Sequence, residues 1–263
     1  MFSCVNDKIS GVFVTTERPL NDGEMPKHPG AGTVYEATNK LTPVFQDALA
    51  SGVEIIPSWK IDGTCCKIEN GVYYRRRDIR KGSVAPPGSI LGDVDSTGHA
   101  NIAWIPLNTS KNPEDKYHLS AFCPTFNKTH VWIMNADKSI SLMALDSIKT
   151  SATFELIGPC VQDNLYEIET EEVSVILTKK GADKVERVPR HYLVPHGAFV
   201  APLPMSIFSE PNPLDLLRKF VEENRAEGIV FRCADKYFKV NQGHLATHTK
   251  GAKLLLAGVK SSS

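Results

Sequence analysis

The sequence lacks an excess of charge of either sign, and it lacks any long apolar run. Its 263 residues carry 30 basic and 30 acidic side chains, so the formal net charge is zero. A nucleic-acid partner would therefore have to bind a local basic patch. No apolar run approaches the ~18 residues needed to cross a bilayer, and the N-terminus lacks the basic and apolar regions of a secretory signal. From these absences we expect that the protein has no membrane partner and is not secreted.

The cysteines form no recognisable framework for disulfides or metal. They include no Cys-x-x-Cys pair and no zinc spacing. The six are Cys4, Cys65, Cys66, Cys123, Cys160 and Cys233. Adjacent Cys65 and Cys66 lie in a strand pattern, which directs their side chains to opposite faces. We expect all six to be reduced thiols in an intracellular, cytoplasmic protein.

The rest of the composition is that of an ordinary globular protein, with 41% hydrophobic and 23% charged residues. The length suits one sizeable domain or two small ones. Residues 1–33, rich in proline, glycine and charge, are predicted to be an N-terminal extension. Residues 34–245 are predicted to form the main domain, and residues 246–263 a frayed C-terminal tail.

Local patterns predict a mixed chain that is richer in strands than in helices. Residues 53–77 are predicted to form antiparallel strands, with a hairpin turn at Asn70-Gly71 that sets Cys65 opposite Arg76. Helices are predicted over residues 35–50 and from Asn212 onward. Further strands are predicted at residues 101–107, 116–122, 129–134, 139–142, 153–157, 173–177, 192–195, 228–232 and 237–240.

The most informative segment is Lys-x-Asp-Gly at residues 60–63, between two strand-like runs. A lone lysine there would be a solvated surface residue. Lys60 is followed in order by Phe154-Glu155, by Glu-Gly-Ile-Val-Phe at residues 227–231 and by Lys239-Val240-Asn241. A neutral lysine amine is a nucleophile, and nearby cations and desolvation favour its neutral form. This order makes Lys60 a candidate nucleophile. The segments resemble those of covalent nucleotidyltransferases, which implies attack on the α-phosphorus of a nucleotide.

Basic and acidic residues around these segments suit such a reaction. Lys239, one or more of Arg75–Arg77 and a divalent metal could neutralise charge on the phosphorus. Glu155 and Glu227, each set among apolar residues, are candidate metal ligands. Gly228 would let the backbone pass close to a ligand.

The position of Lys239 depends on the turn that precedes it. A three-residue turn at 234–236 would put Lys239 on the same face as Glu227, whereas a two-residue turn would put the two on opposite faces. The site hypothesis requires the three-residue turn.

Together the segments resemble the covalent nucleotidyltransferases, which include polynucleotide ligases and capping-type guanylyltransferases. More specifically, they are similar to the ATP-dependent 5′-to-3′ RNA ligases of vertebrates and their viral homologues. The segments that carry this resemblance are residues 60–66, 104–106, 154–158, 191–199, 227–230 and 239–240. The resemblance implies an α+β nucleotidyltransferase fold of the ATP-grasp-like ligase adenylation type, with antiparallel sheets around a nucleotide cleft and no OB domain.

The resemblance also implies a reaction sequence. Lys60 would take AMP from ATP, AMP would pass to a 5′-phosphate RNA end, and a 3′-hydroxyl RNA end would then displace AMP. Lys239 would bind the α-phosphate, and Gly63 would contribute to nucleotide binding. Arg76 would match the arginine after the lysine motif, although Arg75 or Arg77 could be the true match.

The remaining implied roles concern the acidic residues. Asp62 would lie near the ribose or the reacting ends, and Glu155 would contact the ribose or metal-bound water. Glu227 would hold the water shell of Mg²⁺ or Mn²⁺. The protein would act as a monomer on RNA.

The sequence departs from the family at two positions. Trp59 replaces the glutamate common before the lysine, and Asn241 replaces the second lysine of Lys-x-Lys. Among the histidines, His191 is interpreted as structural and His196 as a candidate for lining the RNA or nucleotide pocket, whereas His244 stays open.

Two other functions compete with RNA ligation. One is GTP-dependent capping, and the other is non-catalytic binding of RNA ends. After Asn241, 22 residues remain (263 − 241), too few for the C-terminal OB-fold on which capping enzymes rely. This favours RNA end joining.

Overall fold

The computed structural model of the chain describes residue 4 and residues 9–20, 33–80, 82–92 and 101–245. Most of the predicted N-terminal extension and the whole predicted tail at 246–263 lie outside these residues. The chain divides into two compact units. The Lys60 unit contains described residues 9–20, 33–60 and 199–245, and the Glu155 unit contains residues 4, 61–80, 82–92 and 101–198. The predicted boundaries of the main domain stay a prediction.

The described residues form a strand-rich α+β structure, as the sequence predicts. The strands are β1 (Ser10–Gly11), β2 (Phe13–Pro19), β3 (Thr33–Leu41), β4 (Ile55–Trp59), β5 (Thr64–Glu69), β6 (Val72–Asp78), β7 (Ile90–Leu91), β8 (Ile102–Pro106), β9 (His130–Met134), β10 (Ile140–Ala144), β11 (Ser151–Ile157), β12 (Glu172–Lys179), β13 (Ala182–Pro189), β14 (Tyr192–Pro195), β15 (Gly228–Cys233) and β16 (Lys236–Asn241). The helices are α1 (Pro43–Ala50), α2 (Lys116–Leu119), α3 (Pro213–Glu223) and α4 (Gln242–Leu245). No helix in these residues is long and apolar enough to cross a membrane.

The Lys60 unit is built on a four-stranded sheet in the order β1-β16-β15-β4, and β2 pairs with β3 separately. Phe45 of α1 is fully buried. Its ring lies 4.9–5.7 Å from those of Phe208, Phe231 and Phe238, at edge-on angles. Such tilted aromatic contacts add to the stabilisation from apolar burial. This aromatic cluster anchors α1 to the sheet.

The prediction of one helix over residues 35–50 is wrong for its first half. Residues 33–41 form β3, and the helix begins only at Pro43. Proline suits the first helical turn but disfavours helical backbone in the residue before it. Thr42 is accordingly extended, with φ of −66° and ψ of 145°. The apolar spacing that predicts a helix therefore describes the chain only from Pro43 onward.

Helix α3 begins where the sequence predicts, but its cap differs. Asn212 occupies the N-cap position without a capping side-chain bond, and its amide donates to Asp215 instead. Asn39 of β3 accepts the free backbone N–H of Leu214 at 3.1 Å. A helix N-terminus needs such acceptors, and here a strand distant in sequence supplies one.

The Glu155 unit is built on an eight-stranded sheet in the order β10-β9-β14-β11-β5-β6-β8-β7, with a separate β12-β13 hairpin. Its largest core cluster includes Ile68, Phe154 and Leu193 from neighbouring strands of the sheet. Cys66 belongs to this cluster, whereas Cys65 packs beside Trp104 on a second one. The predicted opposite orientation of the two cysteines is confirmed. All six cysteines are free thiols in the structure.

The hairpin predicted at Asn70-Gly71 is confirmed in position and register. Both residues adopt positive φ, 50° and 74°, as the favoured two-residue turn requires. Glu69 pairs with Val72, and Cys66 pairs with Arg75. Continuing this register sets Cys65 opposite Arg76, as predicted.

Three elements of the Glu155 unit differ from the sequence prediction, and the shortest is β7, a two-residue strand within residues predicted to be a loop. Residues 116–119 form helix α2 rather than a strand, because Asn112 caps a preceding helical turn by accepting from Glu114 N–H at 3.0 Å. Strand β13 was missed. It follows a two-residue turn at Lys180-Gly181, where both residues have positive φ.

Candidate functional site

Lys60 lies directly after β4 in the Lys60 unit, and its side chain contacts Glu227. Lys60 Nζ donates to Glu227 Oε2. The two side chains are 23% and 22% exposed, so the pair can meet a ligand from solvent. The Lys60 backbone N–H donates to the carbonyl of Gly228 at 3.0 Å. The first and third of the four sequence segments thus meet through both side chain and backbone.

Strand pairing and an aromatic stack fix the position of Lys60. Trp59 pairs with Ile229 across β4 and β15. The Trp59 ring stacks on Phe220 of α3 at 5.2 Å and 6°. The backbone N–H of Trp59 donates to the carbonyl of Phe199 at 2.8 Å. Trp59 therefore has a packing role at the position where the resemblance implies a glutamate.

Gly228 is required by the neighbouring strand. A Cβ atom there would lie 2.1 Å from the Val240 carbonyl oxygen and 2.8 Å from Asn241 Cα. Real contacts of this kind are not made, so only glycine allows β15 and β16 to approach this closely. The close approach predicted for a ligand is made by the protein backbone itself.

The predicted register of Lys239 is wrong. The turn contains two residues, 234 and 235, so Lys239 pairs with Val230 and Phe231 with Phe238. Glu227, however, lies in a bend before β15, outside the strand. Strand alternation therefore does not decide on which side its carboxylate lies. The side chain of Glu227 reaches Lys60 without the register that the sequence argument required.

Asn241 has a local structural role. Its side-chain oxygen accepts the N–H of His244 at 3.0 Å, at the start of α4. This bond satisfies one of the free donors of that helical turn. It gives a physical reason for an asparagine at the position where the resemblance implies a second lysine.

In the Glu155 unit, candidate residues form a row across one face of the sheet. Glu155 of β11 pairs directly with Cys65 of β5, and Cys65 lies opposite Arg76 by the register of β5 and β6. Residues paired in this way share a face. The charge of Arg76 acts on the Cys65 thiol and opposes the rise of its pKa. The row joins three residues distant in sequence.

The same register separates the three arginines that the sequence could not distinguish. Arg75 and Arg77 point to the opposite face from Arg76. Arg75 Nε donates to the buried carboxylate of Asp115 at 2.5 Å, and its side chain is only 14% exposed. Arg76 pairs with the exposed Asp78 at 2.9 Å. Arg75 thus has a structural role, and Arg76 is the arginine that shares a face with Glu155.

His196 also contacts Glu155. Its Nε2 lies 3.0 Å from Glu155 Oε1, and its Nδ1 lies 2.7 Å from Thr153 Oγ1. The sequence singled out His196 only by its segment, because 41 residues separate it from Glu155. Pairing of β11 with β14 is what brings them together.

The start of β5 is held tightly against β11. A Cβ at Gly63 would lie 2.5 Å from the Leu156 carbonyl oxygen, so this glycine is required by packing. The backbone N–H of Asp62 donates to Tyr166 Oη at 2.5 Å. These contacts fix the segment that follows Lys60 in the chain.

Burial perturbs several titratable groups of this unit. Burial, and next the charge of Glu155, raise the pKa of the Cys65 thiol to about 12. Burial lowers the pKa of His118 to about 3 and also lowers that of His191. His191 contacts Ser120 Oγ at 2.8 Å and the Pro159 carbonyl at 2.6 Å. This is the structural role that the sequence predicted for it.

Comparison with known proteins adds an independent finding. No protein-family model matches the chain. The chain is similar to two proteins named RNA ligase 1. The one from Pongo abelii is 26% identical over 277 residues, covering 92% of this chain and 81% of that protein. The one from Mus musculus is 25% identical over 291 residues, covering 92% of this chain and 80% of that protein.

The similarity to RNA ligase 1 extends over nearly the whole chain, so it includes residues of both units. It supports the RNA ligase part of the resemblance found in the motifs. It does not by itself assign roles to residues.

The donor atoms also indicate which cations suit each unit. Glu227 offers a partly exposed carboxylate, and Mg²⁺ typically binds through one or two carboxylates, several waters and the phosphates of a substrate. Glu227 therefore fits Mg²⁺ or Mn²⁺. Glu155 instead shares its surroundings with a thiol and an imidazole, which is a softer donor set.

Proposed function

We propose that the chain is an ATP-dependent RNA ligase with a nucleotidyltransferase fold, which joins 5′-phosphate and 3′-hydroxyl RNA ends through a Lys60-AMP intermediate. The contact of Lys60 Nζ with Glu227 carries the proposal. It brings together the lysine and the acidic residue of two motifs that are 167 residues apart. The similarity to RNA ligase 1 proteins supports the choice of RNA as substrate.

Lys60 is the proposed nucleophile. Its amine attacks the α-phosphorus of ATP, a P–N bond forms, and pyrophosphate leaves. An ammonium group has no free electron pair, so Lys60 must first lose a proton. The carboxylate of Glu227 contacts that group and is the natural first acceptor.

The proposal assigns the developing phosphate charge to basic residues. Lys239 binds the α-phosphate, and Arg76 is a further candidate phosphate contact. Arg76 is chosen over Arg75 because Arg75 is held by the buried Asp115. Gly63 and Asp62 act as parts of the lysine motif at the nucleotide and its ribose.

Glu227, with Glu155 as the second candidate, would hold Mg²⁺ or Mn²⁺. When bound, such a cation polarises the phosphate oxygens and neutralises their charge. Glu227 also contacts Lys60 Nζ, so the residue that would hold the cation lies beside the proposed nucleophile.

Two further transfers complete the proposed reaction. The 5′-phosphate of one RNA end attacks Lys60-AMP, so the P–N bond breaks and AMP moves to RNA. The 3′-hydroxyl of the other end then attacks the 5′-phosphate, and AMP leaves as the phosphodiester forms. We propose that one copy of the chain carries out all three steps.

The deciding experiment is intact-mass measurement after incubation with ATP and Mg²⁺. We expect the added mass of one AMP in the parent and none in Lys60→Ala or Lys60→Arg. Arginine keeps a positive charge beside Glu227 but is not a nucleophile, so it controls for loss of the ion pair.

Parallel assays with GTP and with RNA ends separate the competing functions. Labelling by GTP and not by ATP would favour capping chemistry. Binding of RNA ends without any adduct from either nucleotide would favour a non-catalytic RNA-end-binding protein. Transfer of labelled AMP to 5′-phosphate RNA, followed by sealing, would support the ligase.

A further inference from the structure

A thiol, a carboxylate and an imidazole meet on one face of the Glu155 unit. The ligand atoms of Cys65, Glu155 and His196 all lie within 4.8 Å of one another, and all three residues are partly exposed. They come from β5, β11 and the turn after β14, so only the folded sheet assembles them. Three such ligands with room for a fourth from solvent are typical of open zinc sites.

We propose that Cys65, Glu155 and His196 form a binding site for Zn²⁺ or a related transition-metal ion. The site shares Glu155 with the residues proposed for ligation but selects a different ion, because hard cations prefer oxygen ligands and avoid thiols. Its formation does not depend on the proposed function. Only the effect on activity described below rests on it.

The surroundings of His196 are those of a metal-binding histidine. Such a histidine binds through one ring nitrogen and donates from the other to a second polar group. Here Nδ1 lies 2.7 Å from Thr153 Oγ1, and Nε2 faces Glu155 Oε1 at 3.0 Å. Without metal, Nε2–H can donate to the carboxylate. With metal, Nδ1–H donates to Thr153 and the Nε2 electron pair is free for the ion.

Charge also favours a dication at this position. On binding, the Cys65 thiol releases its proton to solvent and becomes a thiolate. The thiolate, the Glu155 carboxylate and a neutral imidazole then compensate the two charges of Zn²⁺. The negative charge of Glu155, which disfavours a free thiolate at Cys65, becomes favourable once the cation lies between them.

The required movements are small. Zn–S of ~2.3 Å and Zn–N or Zn–O of ~2.0–2.2 Å put tetrahedral ligands about 3.3–3.6 Å apart. The ligand atoms all lie within 4.8 Å of one another, so no pair has to approach by more than about 1.5 Å. His196 Nε2 and Glu155 Oε1, now 3.0 Å apart, separate by a few tenths of an ångström. Arg76, whose charge acts on the Cys65 thiol, has a partner of its own in Asp78 at 2.9 Å.

Cobalt substitution tests the site directly. Co²⁺ bound to a thiolate gives a sulfur-to-metal charge-transfer absorption that carboxylate and imidazole ligands do not give. We expect this band in the parent and in Cys160→Ser, which removes an exposed cysteine, but not in Cys65→Ser. The absence of the band in the parent, or its persistence in Cys65→Ser, would overturn the proposal.

Competition with a chromogenic zinc chelator then measures affinity. We expect Cys65→Ser and His196→Gln each to weaken Zn²⁺ binding by more than about 100-fold, because each removes a ligand. Thr153→Val should weaken it by about 10-fold, as expected for a second hydrogen-bonding partner. Circular dichroism identifies a variant that fails to fold, and the partly exposed His196 provides a second variant that does not disturb β5. Equal affinity in folded parent and His196→Gln would contradict the site.

If the proposed ligase function holds, Zn²⁺ should inhibit it by occupying Glu155. Ligation by Cys65→Ser in Mg²⁺ should then persist at a Zn²⁺ concentration that inhibits the parent and Cys160→Ser alike. Cobalt binding without any ligase activity would leave the metal site standing and remove the proposed function. Ligase activity without the cobalt band would support the proposed function and remove the metal site.

Discussion

In the Lys60 unit, Glu227 contacts the ammonium group of Lys60, whereas in the Glu155 unit Glu155 contacts the imidazole of His196. An ammonium group can only donate hydrogen bonds, but an imidazole can donate, accept or bind a transition metal. Two glutamates that look equivalent in the sequence therefore have different chemistry. The partner, rather than the carboxylate, decides what each position can do.

The largest effect is expected from Glu227→Gln, which tests the first half of this comparison. Glutamine can neither accept the proton of Lys60 nor compensate a hard cation. Loss of one positioned charge-stabilising group typically costs ~10²–10³ in rate, and we expect adenylylation to fall by that factor. Single-turnover labelling with ATP measures it, and Glu222→Gln on α3 is the control. A near-normal rate would remove Glu227 from the site.

Arg75 and Arg76 should respond in opposite ways. Arg75→Ala leaves the carboxylate of Asp115, 2% exposed, without its charged partner and with only the hydroxyl of Ser110 as a side-chain donor. Breaking a buried pair costs ~3–5 kcal/mol, which urea unfolding can measure. Arg76→Ala should change stability by less than about 0.5 kcal/mol, as for other surface positions, but should slow adenylylation.

One result would contradict the predicted contrast between the two arginines. If folded Arg75→Ala lost adenylylation as strongly as Arg76→Ala, the sheet face would not separate their roles. Both variants are therefore assayed without urea, under conditions in which circular dichroism shows native structure.

Each unit also contains one glycine that its sheet requires. Gly228→Ala places a Cβ 2.1 Å from a backbone oxygen, and Gly63→Ala places one at 2.5 Å. We expect each to destabilise its unit by at least the ~1–3 kcal/mol of ordinary overpacking, measured by urea unfolding. Gly11→Ala is a matched control, because its new Cβ would lie at an ordinary 3.4 Å from the Phe13 oxygen. Equal stability of all three variants would show that the strands move apart easily.

The smallest effect concerns pH and should arise in the Glu155 unit. His118 stays neutral in the fold because burial lowers its pKa to about 3, whereas an unfolded histidine has a pKa near ~6.5. Below that pH the unfolded chain binds a proton that the native chain does not, so stability falls as pH falls. The loss between pH 6.5 and 5 is about 1–2 kcal/mol from this residue. His191 contributes with the same sign.

Urea unfolding at the two pH values checks this dependence. His118→Gln should be less sensitive to acid than the parent, whatever its stability at neutral pH. The same slope in both proteins would mean that His118 is not the source.

Sequence reasoning predicted the strands best where turn chemistry was explicit. Asn70-Gly71 fixed both the turn and the register of β5 and β6, because few residues adopt positive φ readily. Lys180-Gly181 has the same backbone but a less distinctive first residue, so β13 was missed. The turn at Ala234 was assigned one residue too many for a related reason. Alanine rarely adopts the φ of 51° found there.

The candidate residues were found from the order of four short segments, and that order is a property of the sequence alone. It identified Lys60, Glu155, Glu227 and Lys239 as a set. A separate local signal, the turn at residues 70–71, placed Cys65 opposite Arg76. Only the tertiary structure decided that Glu227 contacts Lys60, that Arg76 rather than Arg75 shares a face with Glu155, and that His196 joins Cys65 and Glu155. The physical reason is the separation of these residues along the chain. Turns and periodicity act over a few neighbouring residues, whereas these contacts depend on pairing between strands that the chain brings together from 41 to 167 residues apart.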